Sequence, residues 1–442
     1  MVLKRTPSAS WRTYQATLQK SARRNKLKKL LSIFAILCGA VVCMLGFYVG
    51  VHWLSSHFDG GSAAPTPREK QTPAQLPPLT RRELPGFLHS EEGPQRVFKN
   101  QFLMARNGAR YQITTTIHTK LQSYIERTLR NAKTHQAAVV VMNPFDGRIL
   151  AMAGRDRENR NGDLCLRAEF PAASLFKIIS AAAAMETAGY TPDKTIYYVG
   201  NRHTLYKNQL KQERGRYSVK TKFRRAFAAS NNIVFGKLGI YDLGHDILAD
   251  YAKRFQFNRS IPFDLPLGIS TIEVPEEEFG LAEIASGFNK RTLISPLHAA
   301  MLASTVANRG KMPAPWIVSS IRDENEVIRY RAGGETISAP IAEQTASNLK
   351  VLMEDAARYG TSRTAFRKLR RQKIFENFDL GAKTGTINDR RDRYKYDWIA
   401  AYALKPDRSA GISVGVLAVH GRLLGVRATE LARAVIDYYF KS

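Results

Sequence analysis

Apolar residues first cluster between Leu30 and Leu54, a run with no Asp, Glu, Lys or Arg. A helix of about 20 such residues crosses a bilayer. Residues 55–86 lose that pattern. Gly60, Gly61, Ser62, Pro65, Pro67, Pro73, Pro77, Pro78 and Pro85 favour extended chain, and the segment reads as a linker. From Ile117 to Ala132 apolar positions recur at helical spacing. The Val-rich stretch Ala137–Asn143, the turn Pro144-Phe145-Asp146-Gly147 and the return Arg148–Ala153 predict a strand pair. Ala172–Thr187 is an Ala-rich helical stretch with Pro171 suited to its first turn. Phe223–Leu238 and Pro296–Ala307 also read as helices. Leu380–Thr386, Trp398–Leu404 and Gly411–His420 read as successive strands, followed by a helix from Val426 to Phe440. An early hairpin, central helices and a late three-strand meander predict one mixed α+β domain. Its sheet would be closed by segments far apart in sequence. No internal repeat is visible.

Charge sharpens this picture. The 442 residues carry a formal net charge of +29, which by itself suggests nucleic acid, a membrane surface or an anionic wall as partner. Nine basic and no acidic residues precede Leu30, among them Arg23, Arg24, Lys26, Lys28 and Lys29. Lysine and arginine stay on the cytoplasmic side of a span. Residues 1–29 therefore read as a cytoplasmic tail, 30–54 as one transmembrane helix and 87–442 as the region outside. A cleaved signal peptide would have a shorter apolar core, about 7–15 residues. Nucleic acid is disfavoured because most of the chain lies outside the membrane. Cys38 and Cys43 lie in the apolar run and Cys165 stands alone, so neither a disulfide framework nor a zinc pattern can be built. His118, His135, His203, His245, His298 and His420 show no metal-ligand spacing. No metal or other cofactor is implied.

Ser174-Leu175-Phe176-Lys177 places a hydroxyl and an amine three residues apart at a helix start, on one face. The helix N-terminus favours a developing negative charge there. Alone the pattern is weak, and the chain holds a second copy, Ser347-Asn348-Leu349-Lys350. Context separates them. Ser230-Asn231-Asn232 follows Ser174, and Lys383-Thr384-Gly385-Thr386 follows on a predicted strand. No Ser-x-Asn lies between Ser347 and Lys383. A serine needs a base to become nucleophilic. A free lysine has a pKa of about 10.4, so about one in 2,500 is neutral at pH 7, and bringing it near 7 takes roughly 4–5 kcal/mol. Burial and a second cation are the available means.

The three motifs in this order resemble the penicillin-binding protein transpeptidase family, the penicillin-recognising serine acyl-transferases. The resemblance runs from about residue 112 to the C-terminus. Ala137–Gly154 looks like the family's opening hairpin. Ser295–Ala300, Ala307–Gly310, Tyr359-Gly360-Thr361 and Asp397-Trp398 are similar to further family segments. Ala173 and Ala382 stand where Gly is common, Ile178 where Pro is common, and Ala285-Ser286-Gly287 where Gly-Gln-Gly is usual. The implied fold is that of the penicillin-binding transpeptidases and serine β-lactamases: an antiparallel sheet flanked by helices, plus a mainly helical lobe. The implied roles are Ser174 as nucleophile, Lys177 as base, Ser230 as proton relay and Asn232 as partner of substrate and Lys177. Lys383 is the second cation. Thr384 and Thr386 hold the substrate carboxylate, and Gly385 lets substrate backbone approach. The N–H groups of Ser174 and Thr386 form the oxyanion hole.

The resemblance implies a D,D-transpeptidase that cross-links D-Ala-D-Ala stem peptides of peptidoglycan and is acylated by β-lactams. It places the enzyme in a bacterial plasma membrane with its catalytic domain in the periplasm. The short stretch between anchor and domain leaves no room for a glycosyltransferase or a pedestal domain, so a minimal monofunctional enzyme with a separate glycan polymerase is expected. A D,D-carboxypeptidase or β-lactamase on the same site, and a non-catalytic scaffold or sensor, stay open. Glu276-Glu277-Glu278 reads as a solvated turn, Arg367–Lys373 as a basic loop, and Tyr394, Tyr396 and Trp398 as a cleft rim or strand packing.

Overall fold

The computed structural model describes residues 78–89, 98–158, 163–212, 216–389, 391–422 and 424–442. The basic tail, the apolar segment 30–54 and most of the proline-rich stretch lie outside them. Among the described residues no helix is long and apolar enough to cross a membrane. Leu76–Ser442 forms one compact unit.

The chain enters through a 3-10 turn at Arg81–Glu83 and a short helix α1 (Leu84–Leu88). This corrects the linker reading at its end. Pro85 sits in the first turn, where the N–H it lacks is not needed, and Leu84, Phe87 and Leu88 are buried. Hairpin β1 (Gln101–Arg106) and β2 (Ala109–Thr115) follows, so the folded region starts well before residue 112. Helix α2 (Thr119–Asn131) leads to β3 (Gln136–Met142) and β4 (Ile149–Asp156). Next come β5 (Phe170–Pro171), a 3-10 turn at Ala173–Phe176 and helix α3 (Lys177–Thr187). The β6 (Thr195–Tyr198) and β7 (Val219–Lys222) ribbon precedes α4 (Phe223–Ala228), α5 (Asn232–Leu238) and α6 (Gly244–Arg254). Then follow α7 (Glu278–Ser286), β8 (Leu293–Ile294), α8 (Pro296–Ala307) and β9 (Met312–Pro313). Strands β10 (Val318–Asp323), β11 (Ile328–Arg331) and β12 (Thr336–Ser338) lead to α9 (Glu343–Arg358) and α10 (Arg363–Arg370). The chain ends in β13 (Asp379–Asn388), β14 (Lys395–Leu404), β15 (Gly411–His420) and α11 (Ala428–Lys441).

The main sheet has the order β13-β14-β15-β3-β4 and is antiparallel throughout. The late meander pairs with the early hairpin through β15 and β3, as the sequence pattern requires. One face packs α2, α10 and α11 over Ala137, Val139, Val141, Ala382, Ile399 and Val414. The other packs α8 and the helical lobe. Residues alternate between the two faces along each strand. A second sheet, β1-β2-β10-β11, is not evident in the hydrophobic pattern. Arg367–Lys373 is also not a loop: Arg367–Arg370 are the end of α10, whose Ala365, Phe366 and Leu369 are buried at helical spacing.

Candidate active site

Two helices expected as continuous are broken, and both breaks carry site residues. Pro171 does not start a helix. It pairs with Leu293 in extended conformation, and the Trp398 indole N–H donates to its carbonyl at 2.8 Å. Ala173 then takes a left-handed φ of 48° and opens the 3-10 turn that holds Ser174. Such a turn has about three residues per revolution, so positions i and i+3 eclipse. Lys177 Nζ is thereby 2.9 Å from Ser174 Oγ.

The stretch Phe223–Leu238 is interrupted at Ser230, whose φ is 54°. Ser230 N–H donates to Phe227 O and Asn231 N–H to Ala226 O, which together close a helix C-terminus around a left-handed residue. Glycine usually fills that place. Asn231 then caps α5 by accepting from Val234 N–H at 3.1 Å. Asn232, the first residue of α5, is thereby aimed at Lys177. The Ser-Asn-Asn triplet is both a helix-end motif and a member of the site.

The turn around Ser174 is clamped by close backbone approaches. Gly287, at φ 64°, ends α7; a Cβ there would lie 2.0 Å from Ala173 O. A Cβ on Gly385 would meet Ala173 Cβ at 3.2 Å and Ser174 N at 3.3 Å. In this structure Gly385 permits β13 to abut the Ser174 turn. The observed close approach is thus to the protein's own backbone.

Lys177 is fully buried. Besides Ser174 it reaches Asn232 Oδ1 at 2.8 Å and Ser286 O at 2.5 Å. The carbonyl can only accept. Asn232 Nδ2 donates to His203 O at 3.0 Å, which turns Oδ1 towards Lys177. A neutral amine would spend its two protons on these two acceptors, leaving its lone pair for the Ser174 hydroxyl. Burial pushes the Lys177 ammonium well below the ordinary lysine range, and the charge of Lys383 adds to the effect. Lys383, also fully buried, reaches Ser230 Oγ at 2.9 Å and Thr384 O at 2.8 Å. Burial lowers it to about 7.

Thr384 is hydrogen-bonded to Thr361 through their hydroxyls. Thr361 N–H donates to Ala228 O, and a Cβ on Gly360 would stand 2.2 Å from that same carbonyl. Tyr359-Gly360-Thr361 therefore wedges between α4 and β13. Beyond Thr386 the cleft continues between α7 and the β13–β14 turn as a space of about 840 Å³, lined by Glu277, Glu283, Phe288, Lys290 and Asn388 among others.

The domain that carries this site is similar to known proteins. Residues 137–437 fit the model of the penicillin-binding protein transpeptidase domain. The chain belongs to the penicillin-binding protein transpeptidase family. It is 26% identical over 303 residues to stage V sporulation protein D of Bacillus subtilis, covering 63% of this chain and 44% of that protein. It is 27% identical over 343 residues to the peptidoglycan D,D-transpeptidase PbpA of Mycobacterium tuberculosis, covering 68% and 66%. The chain thus spans less than half of the first relative's length and about two thirds of the second's. The solved imipenem acyl-enzyme of penicillin-binding protein A from M. tuberculosis shares the fold, with a TM-score of 0.59 at 23% identity over 74% of this chain and 79% of that one.

In this transpeptidase domain Ser174, Lys177, Ser230, Asn232 and Lys383 join through the contacts above, and the 383–386 strand closes on the Ser174 turn. Ser347 does not take part. Sequence reasoning missed the carbonyls of Ser286 and His203, the clamp at Gly287 and the Thr361 hydroxyl. The departure Ala285-Ser286-Gly287 was visible, and it is the segment that holds both Lys177 and the Ser174 turn. Trp398 is no rim residue: it is fully buried beneath Pro171. The acidic run opens α7, with Glu277 at its N-cap. His298 is a satisfied core residue, bound to Ser270 Oγ at 2.8 Å and Phe255 O at 2.7 Å, and burial lowers it to about 4.

Proposed function

We propose that this chain is a peptidoglycan D,D-transpeptidase working through a serine acyl-enzyme at Ser174. The observation that carries the reading is the buried Lys177, with two fixed acceptors on one side and the Ser174 hydroxyl 2.9 Å away on the other. Ser174 Oγ attacks the carbonyl of the penultimate D-Ala of a stem peptide, and Lys177 takes its proton. The N–H groups of Ser174 and Thr386 face the oxyanion. Ser230, bonded to Lys383, relays a proton to the departing amine, and D-Ala leaves. Thr384, Thr386 and Lys383 hold the terminal carboxylate. An amine of a neighbouring stem then attacks the ester. Its proton returns through Lys177, and the Ser174 hydroxyl is restored as the cross-link forms. β-Lactams acylate the same serine.

Support comes from family membership and from the D,D-transpeptidase relative. Segment 30–54 anchors the chain in a bacterial plasma membrane, with the domain outside and a separate polymerase supplying glycan strands. The test uses the detergent-solubilised full chain, labelled with a fluorescent penicillin and mapped by mass spectrometry. A stable adduct on Ser174, followed by formation of a cross-linked dimer from stem peptides, upholds the reading. A rapidly released adduct means hydrolysis, and no adduct removes the acyl-transfer reading.

A further inference from the structure

Thr386 opens to solvent, and its hydroxyl reaches across the strand pair to Asp397 Oδ1 at 3.5 Å, its partner in register on β14. Asp397 is only 1% exposed. Its other oxygen accepts from Arg427 Nε at 2.9 Å and from the N–H of Ala428, the first residue of α11, at 3.1 Å. His420 Nε2 stands 3.6 Å from that oxygen, an electrostatic contact rather than a hydrogen bond. His420 is equally buried. Its Nδ1 accepts from Gly425 N–H at 3.1 Å, so the neutral ring carries its proton on Nε2, facing Asp397. Burial pushes the Asp397 carboxyl up. His420, the Arg427 guanidinium and the Ala428 N–H outweigh it and hold the group below the usual carboxylate range. A buried ionised carboxylate thus ties together β13, the end of β15 and the start of α11.

We propose that Asp397 is a positioning residue for the acyl-transfer site, acting through Thr386, with Arg427 balancing its charge. This rests on the Ser174 reading. A threonine hydroxyl has three staggered positions. A buried acceptor selects one before substrate arrives, which lowers the ordering cost of binding. At 3.5 Å the bond is long for an O–H donor. The hydroxyl therefore turns its proton to an incoming carboxylate while Oγ stays in place. Capping α11 needs only the Arg427 and Ala428 contacts, so the Thr386 contact separates positioning from capping.

The experiment measures acylation of the full chain in detergent by a fluorescent penicillin, resolved into the dissociation constant and the acylation rate constant, beside thermal unfolding. Asp397→Asn is expected to raise the dissociation constant about tenfold with a smaller change in the rate constant. In a Thr386→Val background the same substitution is expected to add nothing. Losses that multiply, or an unchanged dissociation constant with lowered unfolding temperature, overturn the proposal and leave a helix cap. Should Asp397→Asn not fold, Arg427→Ala serves, since that side chain is 55% exposed. It leaves the carboxylate under-neutralised and is expected to weaken penicillin binding severalfold. Unchanged binding overturns the proposal. No adduct on the wild-type chain sinks the Ser174 reading instead.

Discussion

The chain contains the tetrapeptide pattern Ser-x-x-Lys twice, and the two copies differ in almost everything but spelling. Ser174 sits on a 3-10 turn that eclipses it with Lys177. Ser347 lies in the second turn of α9, an ordinary helix in which i and i+3 are offset by about 60°. Lys177 is fully buried and meets Ser174, Asn232 and Ser286. Lys350 is part exposed and turns away to an ion pair with Asp379 at the start of β13. Lys350 keeps 29% exposure and pairs with a carboxylate. Burial and a second lysine disfavour the ammonium of Lys177. Four letters do not set the charge state of a lysine; their environment does.

Breaking the comparison at the hydroxyl gives the largest effect. Ser174→Ala is expected to abolish the penicillin adduct entirely, whereas Ser347→Ala keeps wild-type labelling, read by gel fluorescence. At the amine, Lys177→Met should lower the acylation rate constant by about 10²–10⁴, the usual range for a lost general base. Lys350→Met should leave that rate within twofold and change unfolding free energy by no more than about 1 kcal/mol, as for a surface pair. Equal rates in the two lysine variants would dissolve the distinction.

A finer probe gives Lys177 the kind of partner Lys350 has. Asn232→Asp places a carboxylate against the amine and raises its pKa. Acylation at pH 7 should fall about 10- to 100-fold and recover as pH rises. A loss that pH does not restore would mean the amide itself, not the charge state of Lys177, matters. The smallest effect concerns stability. Lys383 titrates at about 7 in the folded chain and near 10.5 unfolded. Between those values the unfolded chain holds a proton the folded chain lacks, so stability rises with pH. Below pH 7 the penalty is fully present. From pH 7 to 9 this group should add on the order of 2 kcal/mol. In Lys383→Met that part of the slope should vanish in denaturant titrations, while Lys350→Met should keep it.

Much of the fold was legible where periodicity was strong. Pro296–Ala307 matches α8 and Gly411–His420 matches β15 to the residue, and the other two late strands run slightly longer than expected. The second sheet was not legible. Strand β1 alternates weakly and exposes Leu103, so its pairing with β2, and that of β2 with β10, is set by tertiary contacts. The breaks at Ala173 and Ser230 were hidden because neither residue is a glycine or proline, and local propensity gives no warning of a left-handed alanine or serine.

By itself the sequence determined which groups were available: a serine with a lysine three residues on, a Ser-Asn-Asn triplet and a Lys-Thr-Gly-Thr strand. Their order and separation carried the family resemblance. Tertiary structure alone decided which lysine's ammonium is disfavoured. That depends on removal from water and on the nearness of Lys383, which is far away in sequence. It also decided that Gly287 and Gly385 press on the Ser174 turn from α7 and β13. Spacing along a chain specifies neighbours within a helix, but desolvation and backbone clamping arise only where distant segments pack together.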